Sequence, residues 1–111
     1  MKYFVFDSER KSSCYHEFYK GQWDKKTFWK EDSISLHDDI LFNCPDFIDA
    51  ILEIIPSYDC FGETEISFEQ WKQIGEIIKT KNVMAQEIYN EADKWLIEVF
   101  KQHSCFTILG I

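Results

Sequence analysis

Two pairs of residues with metal-binding side chains stand near opposite ends of the chain. Cys14 and His16 form one pair, and His103 and Cys105 form the other. Thiolate and imidazole groups are the usual ligands of tetrahedral zinc, but paired ligands are commonly separated by about two to four residues. Each of these pairs is separated by one residue. We therefore expect no metal and no cofactor, and a small Cys/His metalloprotein is kept as the least favoured alternative.

Catalytic groups are the second kind of chemistry to consider. A cysteine nucleophile and a histidine base need only meet in space, and four cysteines with three histidines offer many pairings. No glycine-rich elbow or oxyanion loop accompanies any of them. The run His37-Asp38-Asp39 could move protons or bind a divalent ion, but a strand end followed by solvated carboxylates explains it more simply. We predict that the chain is not an enzyme.

The densest basic stretch alternates lysines with aromatic residues, which could stack on nucleic acid bases. Its members are Trp23, Lys25, Lys26, Phe28, Trp29 and Lys30. The whole chain, however, has 20 acidic residues against 12 basic ones and a net charge of −8. Because an acidic chain repels phosphates, we predict no direct binding of nucleic acid.

The acidic residues are concentrated between Lys30 and Lys72, where eleven of them occur without a lysine or arginine. Like charges at this density destabilise a folded chain by self-repulsion, so we interpret this acidic window as a surface for a basic partner. The alternative is that the acids solvate exposed helix faces. The residues that we expect in the binding surface are Asp38, Asp39, Asp46, Asp49, Glu53, Asp59, Glu63 and Glu65.

Two aromatic residues, Tyr58 and Phe61, lie among these acids in segment 57–65, which we predict to be a loop between two helices. Aromatic side chains surrounded by charge are typical of interaction hot spots. We therefore expect both to contact the partner, while the acids accelerate its approach. The alternative is that both side chains pack in the core.

The elements that must position these residues include three predicted strands, at 2–7, 28–37 and 105–111. The last is almost continuously apolar, which is typical of a fully buried strand. We expect it to lie beside the N-terminal strand in the middle of the sheet. Gly21 is predicted to form a turn. The rest of 8–27 has no clear period, and a second strand or a long hairpin remains open there.

Three helices are predicted between the second and the last strand. The first begins at Pro45 and ends before Pro56, because proline suits a first helical position and stops a helix that precedes it. The second follows the capping-box residues Ser67 and Gln70. The third and longest spans about 82–102.

The length of 111 residues, 45% of them hydrophobic, suits one core. We predict one α+β domain over residues 1–111, with a small sheet that includes both terminal strands and is packed by about three helices. The apolar run at the start covers only 3–6, whereas a signal peptide needs about 7–15 apolar residues and a membrane span about 20. We expect a cytoplasmic protein that does not contact membranes and keeps its cysteines reduced.

Three segments of the chain resemble the immunity proteins of bacterial contact-dependent growth inhibition and related polymorphic toxin systems. They are Lys-Tyr-Phe-Val-Phe-Asp at 2–7, the acidic region at 38–53, and Cys-Phe-Thr-Ile-Leu-Gly-Ile at 105–111. The resemblance covers the whole chain as an architecture. It implies a protein that binds the toxin domain of its own system and blocks the active site or substrate groove. Most such toxins are nucleases with basic clefts, which agrees with the acidic window.

We therefore expect an immunity protein without catalysis of its own, whose partner is a basic toxin domain, most simply a nuclease. The main alternative is an acidic adaptor or nucleic-acid mimic that binds another basic protein.

Overall fold

Five strands form one antiparallel sheet in the computed structural model, which describes residues 1–110. The strands are Phe4–Phe6 (β1), Tyr15–Lys20 (β2), Ile34–His37 (β3), Glu63–Ser67 (β4) and Cys105–Leu109 (β5). Their order across the sheet is β1-β3-β2-β5-β4. The predicted α+β class is confirmed, with both terminal strands in the sheet.

Four α-helices accompany the sheet, and a short 3-10 turn follows β1 at Asp7–Glu9. The helices are Asp38–Phe42 (α1), Pro45–Ile54 (α2), Phe68–Ile78 (α3) and Val83–Gln102 (α4). The three longer ones are those that the sequence predicts, whereas α1 was not predicted. No helix within residues 1–110 combines the length and the apolar composition that crossing a bilayer requires.

Helix boundaries follow from local chemistry. Pro45 occupies the start of α2, where its missing N–H costs nothing. At α3, the Ser67 hydroxyl accepts a hydrogen bond from the Gln70 N–H at 3.1 Å, and the Gln70 side chain accepts one from the Ser67 N–H at 2.9 Å. The Asn82 side chain caps α4 by accepting from the Ala85 N–H at 2.8 Å. These contacts satisfy N–H groups that the first helical turn leaves without partners.

One face of the sheet packs against the helices. Phe18 lies between Phe4 and Phe106, with ring centroids 5.0 and 5.5 Å away, and Trp71 of α3 meets Phe106 edge to face at 5.4 Å. All four rings are almost completely buried. Burial of each side chain of this size stabilises the fold by about 1.5–3 kcal/mol.

The opposite face of the sheet is covered by residues 21–33, the connection between β2 and β3, which we call the strap. Glu17 of β2 is buried beneath it and accepts hydrogen bonds from the N–H groups of Trp29 and Lys30 at 2.7 and 3.0 Å. The Thr107 hydroxyl of β5 donates to the Gly21 carbonyl at 2.8 Å. Gly21 has a positive φ of 76°, as a glycine turn requires. Strands β2, β3 and β5 are therefore buried on both faces over nearly all of their length.

The predicted place of the C-terminal strand is correct in part. Strand β5 is central, but it lies between β2 and β4, whereas β1 is an edge strand paired with β3. The expected contact between the terminal strands is therefore wrong. The six residues of β2, from the segment without a clear period, occupy that place, while β1 has only three residues. Ile111, the last residue of the predicted strand, lies outside the described residues.

The predicted loop at 57–65 is also shorter than expected, because Glu63–Ser67 forms the edge strand β4. Thr64 and Ile66 are buried, while Glu63 and Glu65 are exposed on the other side. This alternation is that of a strand with one covered face. The predicted strand at 28–37 is likewise reduced to β3, because 28–33 belong to the strap.

Candidate interaction surface

Helix α1 displays an aromatic side chain at one end of the sheet. It begins directly after β3, where the His37 imidazole accepts a hydrogen bond from the Asp39 N–H at 3.0 Å and the Asp38 N–H donates to the Cys14 carbonyl at 2.9 Å. These bonds fix a helix of only five residues. Its last residue, Phe42, is 43% exposed.

Phe61 lies next to Phe42, with ring centroids 6.4 Å apart. It is 67% exposed. The Asp59 carboxylate accepts a hydrogen bond from the Phe61 N–H at 2.9 Å, and the Gly62 N–H donates to the Asp59 carbonyl at 3.1 Å. The turn thus places Phe61 at the tip of a hydrogen-bonded loop, where its side chain is exposed as the prediction of an aromatic contact requires.

The strap adds two more aromatic side chains, Trp23 and Phe28, whose ring centroids are 5.1 Å apart. With Phe61 and Leu109 they line a cavity of about 390 Å³. Phe28 is 49% exposed. We call Trp23, Phe28, Phe42 and Phe61 the aromatic surface.

The turn that carries Trp23 and Phe28 is held by Asp24. Its carboxylate accepts hydrogen bonds from the Thr27 hydroxyl at 2.6 Å, the Thr27 N–H at 2.8 Å and the Lys26 N–H at 2.9 Å. These bonds, above all the one from the Thr27 hydroxyl, lower the pKa of Asp24 from 3.8 to about 2. The Trp23 indole N–H donates to the Thr27 carbonyl at 2.8 Å. The conformation of this part of the aromatic surface is therefore fixed before any partner binds.

Three predicted acids lie at the edge of the aromatic surface. Glu63 lines the cavity and forms an ion pair with Lys25. Asp59 belongs to the Phe61 turn, and Asp39 is three residues before Phe42 on α1, a spacing that puts two side chains on one helix face. With Phe61, these are the predicted site residues that the fold brings together.

Asp38 has an internal partner, although it was predicted to bind a toxin. Its carboxylate lies 2.7 Å from Nε2 of His16, which is completely buried. The His37-Asp38-Asp39 run therefore provides a helix cap, an internal pair and an exposed acid, and its side chains do not converge on one point.

The remaining predicted acids lie apart from the cavity. Asp46 accepts a hydrogen bond from the Asn82 N–H at 3.1 Å and thereby connects α2 to the start of α4. Asp49 and Glu53 are exposed on α2, and Glu65 is exposed on β4 two residues beyond Glu63. Neither the α2 acids nor Glu65 line the cavity.

Tyr58 belongs to the core, and its predicted role as an exposed contact is corrected. It is only 8% exposed and packs in the main hydrophobic cluster. This burial raises the pKa of its hydroxyl above the usual range. The alternative of core packing therefore applies to Tyr58 and not to Phe61.

The two Cys/His pairs lie at opposite ends of the sheet. Strands β2 and β5 are antiparallel with Lys20 opposite Phe106, so Cys105 lies near the end of β2 and Cys14 precedes its start. Within residues 1–110, no group of three or more His, Cys, Asp or Glu side chains could hold a metal ion. This geometry does not support the metalloprotein alternative.

Three members of the aromatic surface were not predicted as site residues. The sequence suggests Trp23 and Phe28 only as residues that could stack on nucleic acid bases. Because the strap has no periodic pattern, the sequence does not show which of its side chains are exposed. Phe42 ends a helix too short to give a helical repeat. One signal in the sequence is the polar turn Asp24 to Thr27 between two aromatic residues, since such turns lie at the surface with their neighbours.

Comparisons with known proteins do not add to this description. No protein family, curated protein or solved structure matches the chain. The functional argument therefore depends on the surface itself.

Proposed function

We propose that this chain is an immunity protein, which binds a basic toxin domain through the aromatic surface and the acids around it. The observation that carries the proposal is the exposure of Phe28, Phe42 and Phe61, at 49%, 43% and 67%, in one contiguous region. Single exposed apolar residues are ordinary, but contiguous apolar patches with a polar rim mark interaction sites.

Charge supports a basic partner. The chain has a net charge of −8, and Asp39, Asp59 and Glu63 border the aromatic surface. An acidic rim accelerates the association of a basic protein, while desolvated aromatic contacts slow its dissociation. A toxin that acts on nucleic acid binds its substrate in a basic groove, which the acidic rim of this chain would complement. Blocking that groove neutralises the toxin without any catalysis by the inhibitor. Such an inhibitor acts in the cytoplasm.

The proposal predicts that the gene for this chain follows that of a large secreted toxin, and the toxin domain at the end of that protein is the partner to be tested. We expect stoichiometric inhibition of its activity by the wild-type chain. The variant Phe61→Ala is expected to weaken binding by about 10- to 100-fold, as for a central aromatic contact.

Phe68→Ala is the matched control, because Phe68 is 45% exposed but lies at the start of α3, outside the aromatic surface. It is expected to bind as the wild type does. Equal binding by Phe61→Ala and Phe68→Ala would contradict the proposed surface. Absence of inhibition by the wild-type chain would favour the alternative of an acidic adaptor or nucleic-acid mimic for another basic protein.

A further inference from the structure

Two residues that line the cavity beside Phe61 contact a cation of the chain itself. The Lys25 ammonium forms an ion pair with Glu63 and lies 5.7 Å from the centre of the Trp23 ring. The position over the Trp23 ring is a cation–π contact, and the Glu63 carboxylate adds an ion pair to the same cation. The contacts of Lys25 therefore indicate that Glu63 and Trp23 together can bind a positively charged group.

The cavity has room for more than this contact. Its volume is about 390 Å³, and Trp23, Phe28, Phe61 and Leu109 supply its apolar walls. Glu63 is its acidic lining residue, and the glycines Gly62 and Gly110 also line it. Apolar walls with a single acid suit a long side chain that ends in a positive charge.

The ion pair between Lys25 and Glu63 is weak. The side chains of Lys25 and Glu63 are 65% and 41% exposed, and exposed ion pairs contribute little to stability. The backbone next to Lys25 is fixed by the turn that Asp24 caps, since the N–H groups of Lys26 and Thr27 donate to the Asp24 carboxylate at 2.9 and 2.8 Å. The lysine side chain can therefore move away while the cavity keeps its shape.

We propose that this cavity receives an arginine side chain of a basic protein partner, whose guanidinium replaces the Lys25 ammonium at Glu63 and stacks on Trp23. Arginine suits the exchange better than lysine, because its planar group pairs with a carboxylate through two hydrogen bonds, stacks on aromatic rings and is weakly hydrated. The inference rests on the proposed function for the identity of the partner, but the cation site itself can be tested without it.

The test is a titration of the full chain with Nα-acetyl-arginine methylamide at low salt, followed by the NMR signal of the Trp23 indole N–H. The corresponding citrulline amide, which has nearly the same shape without the charge, is the ligand control. We expect a saturable shift with the arginine probe and at least about fivefold weaker binding of the citrulline probe, as the loss of a cation–π contact implies.

Two pairs of variants locate the site. Glu63→Gln is expected to weaken arginine binding about fivefold, whereas Glu65→Gln removes the same charge two residues along β4 and is expected to leave it unchanged. Lys25→Met is expected to tighten binding about threefold, because it removes the competing cation. Lys26→Met changes the net charge equally without touching Glu63, so that it is expected to produce no comparable gain.

The inference is overturned if the citrulline probe binds as tightly as the arginine probe. It is also overturned if the arginine probe has the same affinity for Glu63→Gln as for Glu65→Gln, or the same affinity for Lys25→Met as for Lys26→Met. It is also overturned if even Lys25→Met gives no saturable shift. None of these measurements contains a toxin. Failure of the chain to inhibit a toxin would therefore reject the proposed function and leave the cation site standing.

Discussion

At the scale of single residues, Asp24 shows how one carboxylate organises part of the aromatic surface. Its hydrogen bonds from Thr27 and Lys26 hold the turn between Trp23 and Phe28. Because its pKa is lower in the folded chain than its ordinary value of 3.8, its ionised form stabilises the turn above about pH 4. That contribution decreases as the pH falls through the folded pKa near 2.

The carboxyl carbon of Asp24 should accordingly titrate with a midpoint of about 2 when it is followed by NMR. The variant Thr27→Val removes the hydroxyl donor that is the largest cause of the shift, so the midpoint should rise towards 3.8. Thr80→Val is a control, because its hydroxyl donates to the Ile77 carbonyl instead. An Asp24 midpoint near 4 in the wild-type chain would contradict the described turn.

Tyr58 and Phe61 show how far single residues of the site could be predicted. Both are aromatic, and both lie among acids in the same segment, so the sequence distinguishes them poorly. The fold separates them because Tyr58 follows the end of α2 and turns into the core, whereas Asp59 caps the Phe61 turn at the surface. Only tertiary packing determines which of two neighbouring aromatic rings is buried.

At the scale of elements, the edge strand β1 depends on α4. Glu91 accepts hydrogen bonds from the N–H groups of Tyr3 and Phe4 at 2.8 and 2.7 Å, and from that of Lys2 at 2.9 Å. One carboxylate thus satisfies three successive backbone donors that would otherwise lack partners on the outer side of the sheet.

The variant Glu91→Ala should therefore release β1. We expect the free energy of unfolding to fall by about 1–3 kcal/mol, with faster amide exchange at Phe4–Phe6 than in the other strands. Glu98→Ala is the control, since Glu98 is an exposed acid on the same helix that pairs only with Lys101. Equal effects of the two variants on β1 exchange would show that Glu91 does not hold this strand.

The elements with strong local signals were predicted correctly, and those that depend on packing were not. Pro45, the Ser67–Gln70 pair and Asn82 define three helix starts without reference to the rest of the chain. Strand β2 has no alternation because the strap buries its second face, so that its period-2 signal disappears. In β4, Glu63, Glu65 and Ser67 are exposed or half-exposed, and Ile66 is its single apolar residue, so that its sequence does not indicate a strand.

At the scale of the whole molecule, the acidic window predicts a basic partner, but only the fold shows which acids border one surface. Asp39, Asp59 and Glu63 meet at the aromatic surface, whereas Asp49 and Glu53 lie on α2. The number of charges can be read from the sequence, but their positions in space cannot. The position of the acids near Phe61 depends on the long-range pairing of β4 with β5, which places the Phe61 turn beside Gly110.

Reversal of charge distinguishes local electrostatics from net charge. We expect the double variant Asp39→Lys and Glu63→Lys to slow association with the toxin domain by about tenfold or more at low salt, with the difference shrinking at high salt. The matched control reverses Asp49 and Glu53, which are exposed on α2 away from the aromatic surface. Stopped-flow measurements that give the same association rate for both variants would indicate that only the net charge matters.

Hydrogen exchange of the complex shows whether the proposed toxin domain binds the aromatic surface. On addition of that domain, we expect slower exchange at Trp23–Phe28, at α1 and at the Phe61 turn, with little change along α3 and the exposed side of α4. Protection confined to α3 and α4, with none at the Phe61 turn, would contradict binding at the aromatic surface.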